Sequence, residues 1–146
     1  MAIWQSKIGK RQEAVPSVYA AGEFTTQRAT FTFSSTFAFA TDVLELGVLP
    51  AGCRVVDAIA LPESLNGNIT IGLMSGTVGD PDAARTVGAE LWSATAMAST
   101  PLRLALLTGW NIAPSTGHRS IGMTGSADIT ASASKILTLL LSYSMF

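Results

Sequence analysis

The chain has 146 residues and a mass of 15.2 kDa, which is room for one ordinary domain and no second core. Charged residues make up 13% and hydrophobic residues 48%, a balance that excludes an intrinsically disordered chain. A net charge of −1 and a pI near 5.7 speak against a protein that wraps nucleic acid, which needs a basic surplus to displace counterions from phosphates.

With a mean hydropathy of +0.39, the chain has too little polar surface to cover itself, so part of its exterior is expected to lie against other subunits. Residues 1–28 show no sustained period of 2 or 3.6 and read as an extended N-terminal arm, with residues 29–146 as a single β-sandwich domain. The arm carries Lys7, Lys10, Arg11 and Arg28 against Glu13 and Glu23, a net +2. In residues 42–90, Asp42, Glu45, Asp57, Glu63, Asp80, Asp82 and Glu90 face only Arg54 and Arg85, a net −5. A positive arm on an acidic body can fold back or reach a neighbour, and fully extended it would span about 90 Å. Ile3 and Trp4, rimmed by Lys7, Lys10 and Arg11, have the composition of a protein-interface anchor. The plainer alternative is that Trp4 tucks onto its own domain.

Phe31, Phe33, Phe37 and Phe39 share one parity and so one face of a strand. A base-stacking platform would need a basic groove, and only Arg28 is near, so these rings read as core or subunit interface. Val43 to Leu49 and Cys53 to Leu61 are extended runs around Pro50-Ala51-Gly52, which predicts a hairpin. Asn66-Gly67-Asn68 predicts a turn, Ile69 to Leu73 a strand, and Gly76 to Pro81 a loop. Pro81 to Met97, with Asp80 placed to cap it, is the one stretch where helix is plausible, as one or two short turns. Leu102 to Leu107, His118 to Met123 and Ile136 to Tyr143 predict strands, with a loop at Gly109 to Gly117 that carries Trp110. Together these describe an all-β antiparallel sandwich or jelly-roll-like barrel with at most one short helix.

Catalytic chemistry has little to work with. Cys53, the one cysteine, alternates with Val55 in an apolar run and reads as a small core residue, and His118, the one histidine, reads as a surface or interface side chain. Asp80 and Asp82 resemble half a calcium loop without its closing glutamate, and helix capping or a turn is the plainer account. Asp42, Glu45, Asp57 and Glu63 read as the polar punctuation of a solvated edge. No phosphate-cradling, nucleophile-elbow or zinc-helix motif occurs. The expectation is a non-enzyme with no catalytic residue, cofactor or metal. The first residues lack the apolar core of a secretory signal and no run is long enough for a membrane helix, so synthesis and assembly in the host cytoplasm, with no membrane partner, is expected.

Two segments carry a resemblance: residues 42–58, Asp-Val-Leu-Glu-Leu-Gly-Val-Leu-Pro-Ala-Gly-Cys-Arg-Val-Val-Asp-Ala, and the closing stretch Gly125 to Thr130 leading to Lys135 to Tyr143. Together they resemble small head-associated proteins of tailed bacteriophages. The resemblance implies a virion protein that decorates or cements the phage head, commonly as a homotrimer, bound to the major capsid protein and not directly to nucleic acid. A tail-tube, tail-terminator or head-tail connector subunit is the alternative among virion parts. A ligand- or carbohydrate-binding module is the alternative of another class, with Trp92 and Trp110 as its only aromatic candidates.

Overall fold

The computed structural model describes residues 2–12 and 24–145, which form nine strands and one short helix. In chain order the strands are β1 (Ile3–Gln5), β2 (Phe24–Thr32), β3 (Val43–Leu49), β4 (Cys53–Glu63), β5 (Asn68–Met74), β6 (Trp92–Ala96), β7 (Leu102–Arg103), β8 (Arg119–Gly125) and β9 (Ile136–Met145). The helix α1 (Leu107–Trp110) lies between β7 and β8. A five-stranded sheet, β1-β3-β8-β5-β6, packs against a four-stranded one, β2-β9-β4-β7. All pairings are antiparallel except β1 with β3. This is the expected all-β sandwich.

Strand patterning explains the layers. In β9, Leu137, Leu139, Leu141 and Tyr143 are fully buried and alternate with Ile136, Leu140 and Ser142, which are half-exposed. In β2, Gln27 and Ala29 point inward between exposed Thr26, Arg28 and Thr30. β3 differs: all seven residues are buried, because the N-terminal segment and the chain between β5 and β6 cover its outer face.

Gln27 ties the sheets together. Its Oε1 accepts from the Val48 amide at 3.0 Å and its Nε2 donates to the Val48 carbonyl at 3.1 Å, so one buried side chain satisfies both main-chain groups of a residue in the other sheet. A β-bulge between Glu45 and Gly47 accompanies this contact. Burial pushes the neighbouring Tyr143 hydroxyl up to about 12, against the opposing hydrogen bond with Gln27. Replacing Gln27 with alanine strands two buried backbone groups and should cost about 2–4 kcal/mol, read as a lowered denaturation midpoint at unchanged m-value.

Several expectations are corrected. The Pro50–Gly52 turn closes no hairpin: β3 pairs with β8 and β4 with β9, so the turn carries the chain from one sheet to the other. Its ends are held by Gly52 N–H to Ser115 O at 2.8 Å and Ala51 N–H to His118 Nδ1 at 3.1 Å. The stretch Pro81 to Met97 holds no helix. Trp92–Ala96 is instead a strand, because Leu91 and Trp92 are buried and Trp92 pairs opposite Ile71. Asp80 accepts from the Asp82 amide at 3.0 Å, shaping a turn instead of capping a helix. The predicted strand Leu102 to Leu107 stops at Arg103, and the helix falls at Leu107–Trp110. The aromatic ladder is cut as well: β2 ends at Thr32, Phe37 bridges to Ile129, and Phe39 stands 45% exposed.

Candidate functional site

The N-terminal residues are folded against the body. The parallel pairing of Ile3, Trp4 and Gln5 with Val43, Leu44 and Glu45 makes β1 the outer strand of its sheet. The Ser6 hydroxyl donates to Leu46 O, the Ser6 amide reaches Glu45 O at 2.8 Å, and Ile8 is buried in the core. A tight turn follows, with the Lys10 amide on Ser6 O at 2.9 Å and the Gln12 amide on Lys7 O at 2.8 Å. It leaves Lys7, Lys10 and Arg11 exposed. The arm expected over residues 1–28 is therefore in strand at residues 3–5 and again from Phe24, and residues 13–23 lie outside the described residues.

Trp4 meets its own domain. Its ring stands edge-on to Phe31 at 6.0 Å and to Phe37 at 5.6 Å, and Phe33 joins them at 5.0 Å from Phe31 and 5.8 Å from Phe37. Such edge-to-face pairs place ring hydrogens on the electron-rich faces of their neighbours. Phe33 and Phe37 are fully buried, while Trp4 and Phe31 are half-exposed. The structure thus gathers Trp4, Phe31, Phe33 and Phe37 into one cluster and leaves Phe39 out of it.

The half-exposed members of this cluster floor a groove between the edges of the two sheets. One part, of about 440 Å³, is lined by Ile3, Trp4, Gln5, Lys10, Phe31 and Thr32 among others. It continues past Lys7 and Thr30 to Arg28. Lys7, Lys10 and Arg28 line it, and no aspartate or glutamate stands among its described lining residues.

Beneath the groove lies a charged centre that the sequence reading missed. Glu45, expected on a solvated edge, is fully buried, and so is Arg85. Arg85 Nη1 lies 3.1 Å from Glu45 Oε2, and Nη2 donates to Oε1 at 3.2 Å. The Ser120 hydroxyl and the Gln5 amide group each donate to the carboxylate at 2.5 Å, and the Gly79 amide at 2.9 Å. Gly79 adopts φ +84°, a left-handed conformation that glycine enters without side-chain cost, and this turns its N–H inward. The guanidinium is otherwise satisfied by Ser75 O, Asp80 O and the Ser120 hydroxyl. Glu45 therefore binds together β1, β3, β8 and the loop after β5.

Burial alone would raise the Glu45 carboxyl, but hydrogen bonds from Ser120, Arg85, Gln5 and Gly79 outweigh it and hold the group below the ordinary carboxylate value of 4.5. A depressed native value stabilises the fold above the unfolded value and loses that contribution as pH falls through the native one. Denaturation midpoints measured on either side of pH 4.5 should therefore drop on the acid side, and Glu45→Gln should flatten the drop.

The remaining candidates sit apart. Cys53 is a buried free thiol whose ionisation burial disfavours, as its place in the core requires. His118 is exposed at the turn between the sheets. Asp42 accepts from the Ala38 amide, and Asp57 pairs with Arg103 on the surface. Among the described residues no group of three or more His, Cys, Asp or Glu could hold a metal ion. Trp92 is 3% exposed, and the exposed Trp110 donates its indole N–H to Val56 O, so the two do not form a stacking surface.

No family profile matches the chain, and no curated protein matches it. Solved structures do. Over 99% of both chains it is similar to a chain of the structure titled "Capsid of Ralstonia phage GP4", at 30% identity and a TM-score of 0.89. It is also similar to a chain of the "Cyanophage Pam1 capsid asymmetric unit", at 17% identity and a TM-score of 0.58, over 92% of this chain and 93% of that one. The second likeness is one of fold.

Proposed function

The chain belongs to the family of phage capsid proteins represented in the Ralstonia phage GP4 capsid, and on that premise we propose that it is a decoration, or cement, protein of the phage head. As a member of that family it is a structural protein of the virion, resident in the head. Within the proposal it is a minor capsid component, a homotrimer seated on the major capsid protein, with its N-terminal segment taking part in the contact. It has no catalytic role.

The observation that carries the reading is the end-to-end match, 99% of each chain, to a component of a phage capsid of the same size. The surface supports it. Phe24, Phe39, Val56, Leu106, Leu107, Trp110 and Met145 are large exposed hydrophobics, with Leu107 at 71% and Phe24 at 65%, and a sparsely charged chain gains by covering them with neighbours. The buried state of the Glu45–Arg85–Ser120 cluster supports a structural use for those groups, because substrate has no path to them. The capsid relatives weigh for the head over a tail tube, terminator or connector, and the separation of Trp92 from Trp110 weighs against a sugar-binding module. Many copies on a lattice turn a modest contact into strong avidity, and binding the mature shell preferentially stabilises it by mass action.

The test is co-sedimentation of the purified chain with head shells that lack it, beside native mass measurement of the free protein. Saturable loading in multiples of three, from a trimer in solution, is expected. A monomer that ignores shells, or a ring that loads onto tails, would overturn the reading.

A further inference from the structure

We propose that the groove between β1 and β2 is a receptor for an extended, acidic segment of a neighbouring shell subunit. The proposal deepens the decoration reading and rests on it. Sequence alone casts Trp4 and its basic neighbours as an anchor inserted into a partner. In the structure Trp4 is packed on Phe31 and Phe37 and forms the floor of a groove, so these residues are placed to accept a chain.

Three observations define the occupant. First, both walls are strand edges: among the described residues β1 pairs only with β3, and β2 only with β9. The Val43 amide bonds Ala2 O and the Ser6 amide bonds Glu45 O, so the parallel pattern directs the intervening main-chain groups of Ile3 and Gln5 away from β3. Likewise the Phe33 amide bonds Lys135 O, and alternation turns the main-chain groups of Arg28 and Thr30 away from β9. Free edges recognise an extended peptide by strand addition. Second, Trp4 and Phe31 offer a half-exposed apolar floor for alternate side chains. Third, Lys7, Lys10 and Arg28 line the groove, no aspartate or glutamate is among its described lining residues, and charge of one sign selects and steers an acidic partner. A nucleic acid strand would also meet this charge, but it could not use the two backbone edges.

The test uses the full chain, labelled for NMR, and a synthetic peptide of alternating valine and glutamate. The peptide is expected to shift the Trp4 indole and the amides of Gln5 and Thr30 while leaving the buried Trp92 indole in place. A valine–lysine peptide should not. The double variant Lys7→Glu/Lys10→Glu alters two exposed side chains, should keep the parent melting temperature, and should weaken binding about tenfold or more. Shifts elsewhere, equal shifts with the lysine peptide, or oligo-dT binding in place of the acidic peptide would each overturn the proposal. Shell loading separates the two levels. If the parent chain fails to load, the decoration reading falls; if it loads and the double variant loads equally well, the groove proposal alone falls.

Discussion

Replacing Arg85 with leucine is expected to cost about 3–5 kcal/mol, the largest single-site loss the fold should show apart from its aromatic core. The loss is not the value of an ion pair. It arises because Glu45 would stay buried with a carboxylate whose ion-pair partner had gone, and a buried uncompensated charge is expensive. Ser75 O and Asp80 O would lose their donor at the same time. The double variant Glu45→Leu/Arg85→Leu removes both charges and should recover much of the loss, since a matched apolar pair is often neutral relative to a buried salt bridge. A double-mutant cycle in denaturant, at fixed protein concentration, reads the coupling directly; additive losses would show that the two residues act independently.

Phe33→Ala should cost a comparable amount, about 3–5 kcal/mol, for a different reason. The ring is fully buried, edge-on to Phe31 at 5.0 Å and to Phe37 at 5.8 Å, so truncation opens a cavity and removes two favourable ring contacts. Phe39→Ala is the internal control. That ring is 45% exposed and outside the cluster, and its removal should change stability by no more than about 0.5 kcal/mol. Denaturant midpoints for the two variants decide the matter, with equal losses contradicting the division of the four phenylalanines.

That division also marks where sequence periodicity stops informing. Phe31, Phe33, Phe37 and Phe39 share a parity, but Ser34 and Ser35 let the chain leave the sheet, after which parity no longer fixes a face. The strands that read well, β5, β8 and β9, carry alternating or continuous apolar residues between turn residues. Pro50–Gly52 misled because a short turn signal marks a change of direction and not the partner to which the next strand bonds. Alanines in residues 83–89 suggested helix, yet Leu91 and Trp92 bring that stretch onto β5, and tertiary packing overrides propensity.

The charged centre was hidden for a related reason. Glu45 sits between Leu44 and Leu46 as any surface residue of an alternating strand would, and its partner Arg85 is 40 positions away in an irregular segment. Only the covering N-terminal segment and the chain between β5 and β6 make that face of β3 internal. The low charge content of 13% is consistent with the large hydrophobics that stand exposed on the chain. Composition marks Trp4 and its basic neighbours, but that Trp4 packs on its own domain follows from β1 pairing with β3, a contact across 40 residues that no local pattern encodes.

The proposal that this chain reinforces the filled phage head is tested by the temperature at which DNA escapes from heads assembled with and without the chain. Heads lacking it should release DNA at a lower temperature, and adding the purified protein back should restore the parent value. Equal release temperatures in fully loaded and empty-handed heads would contradict the account.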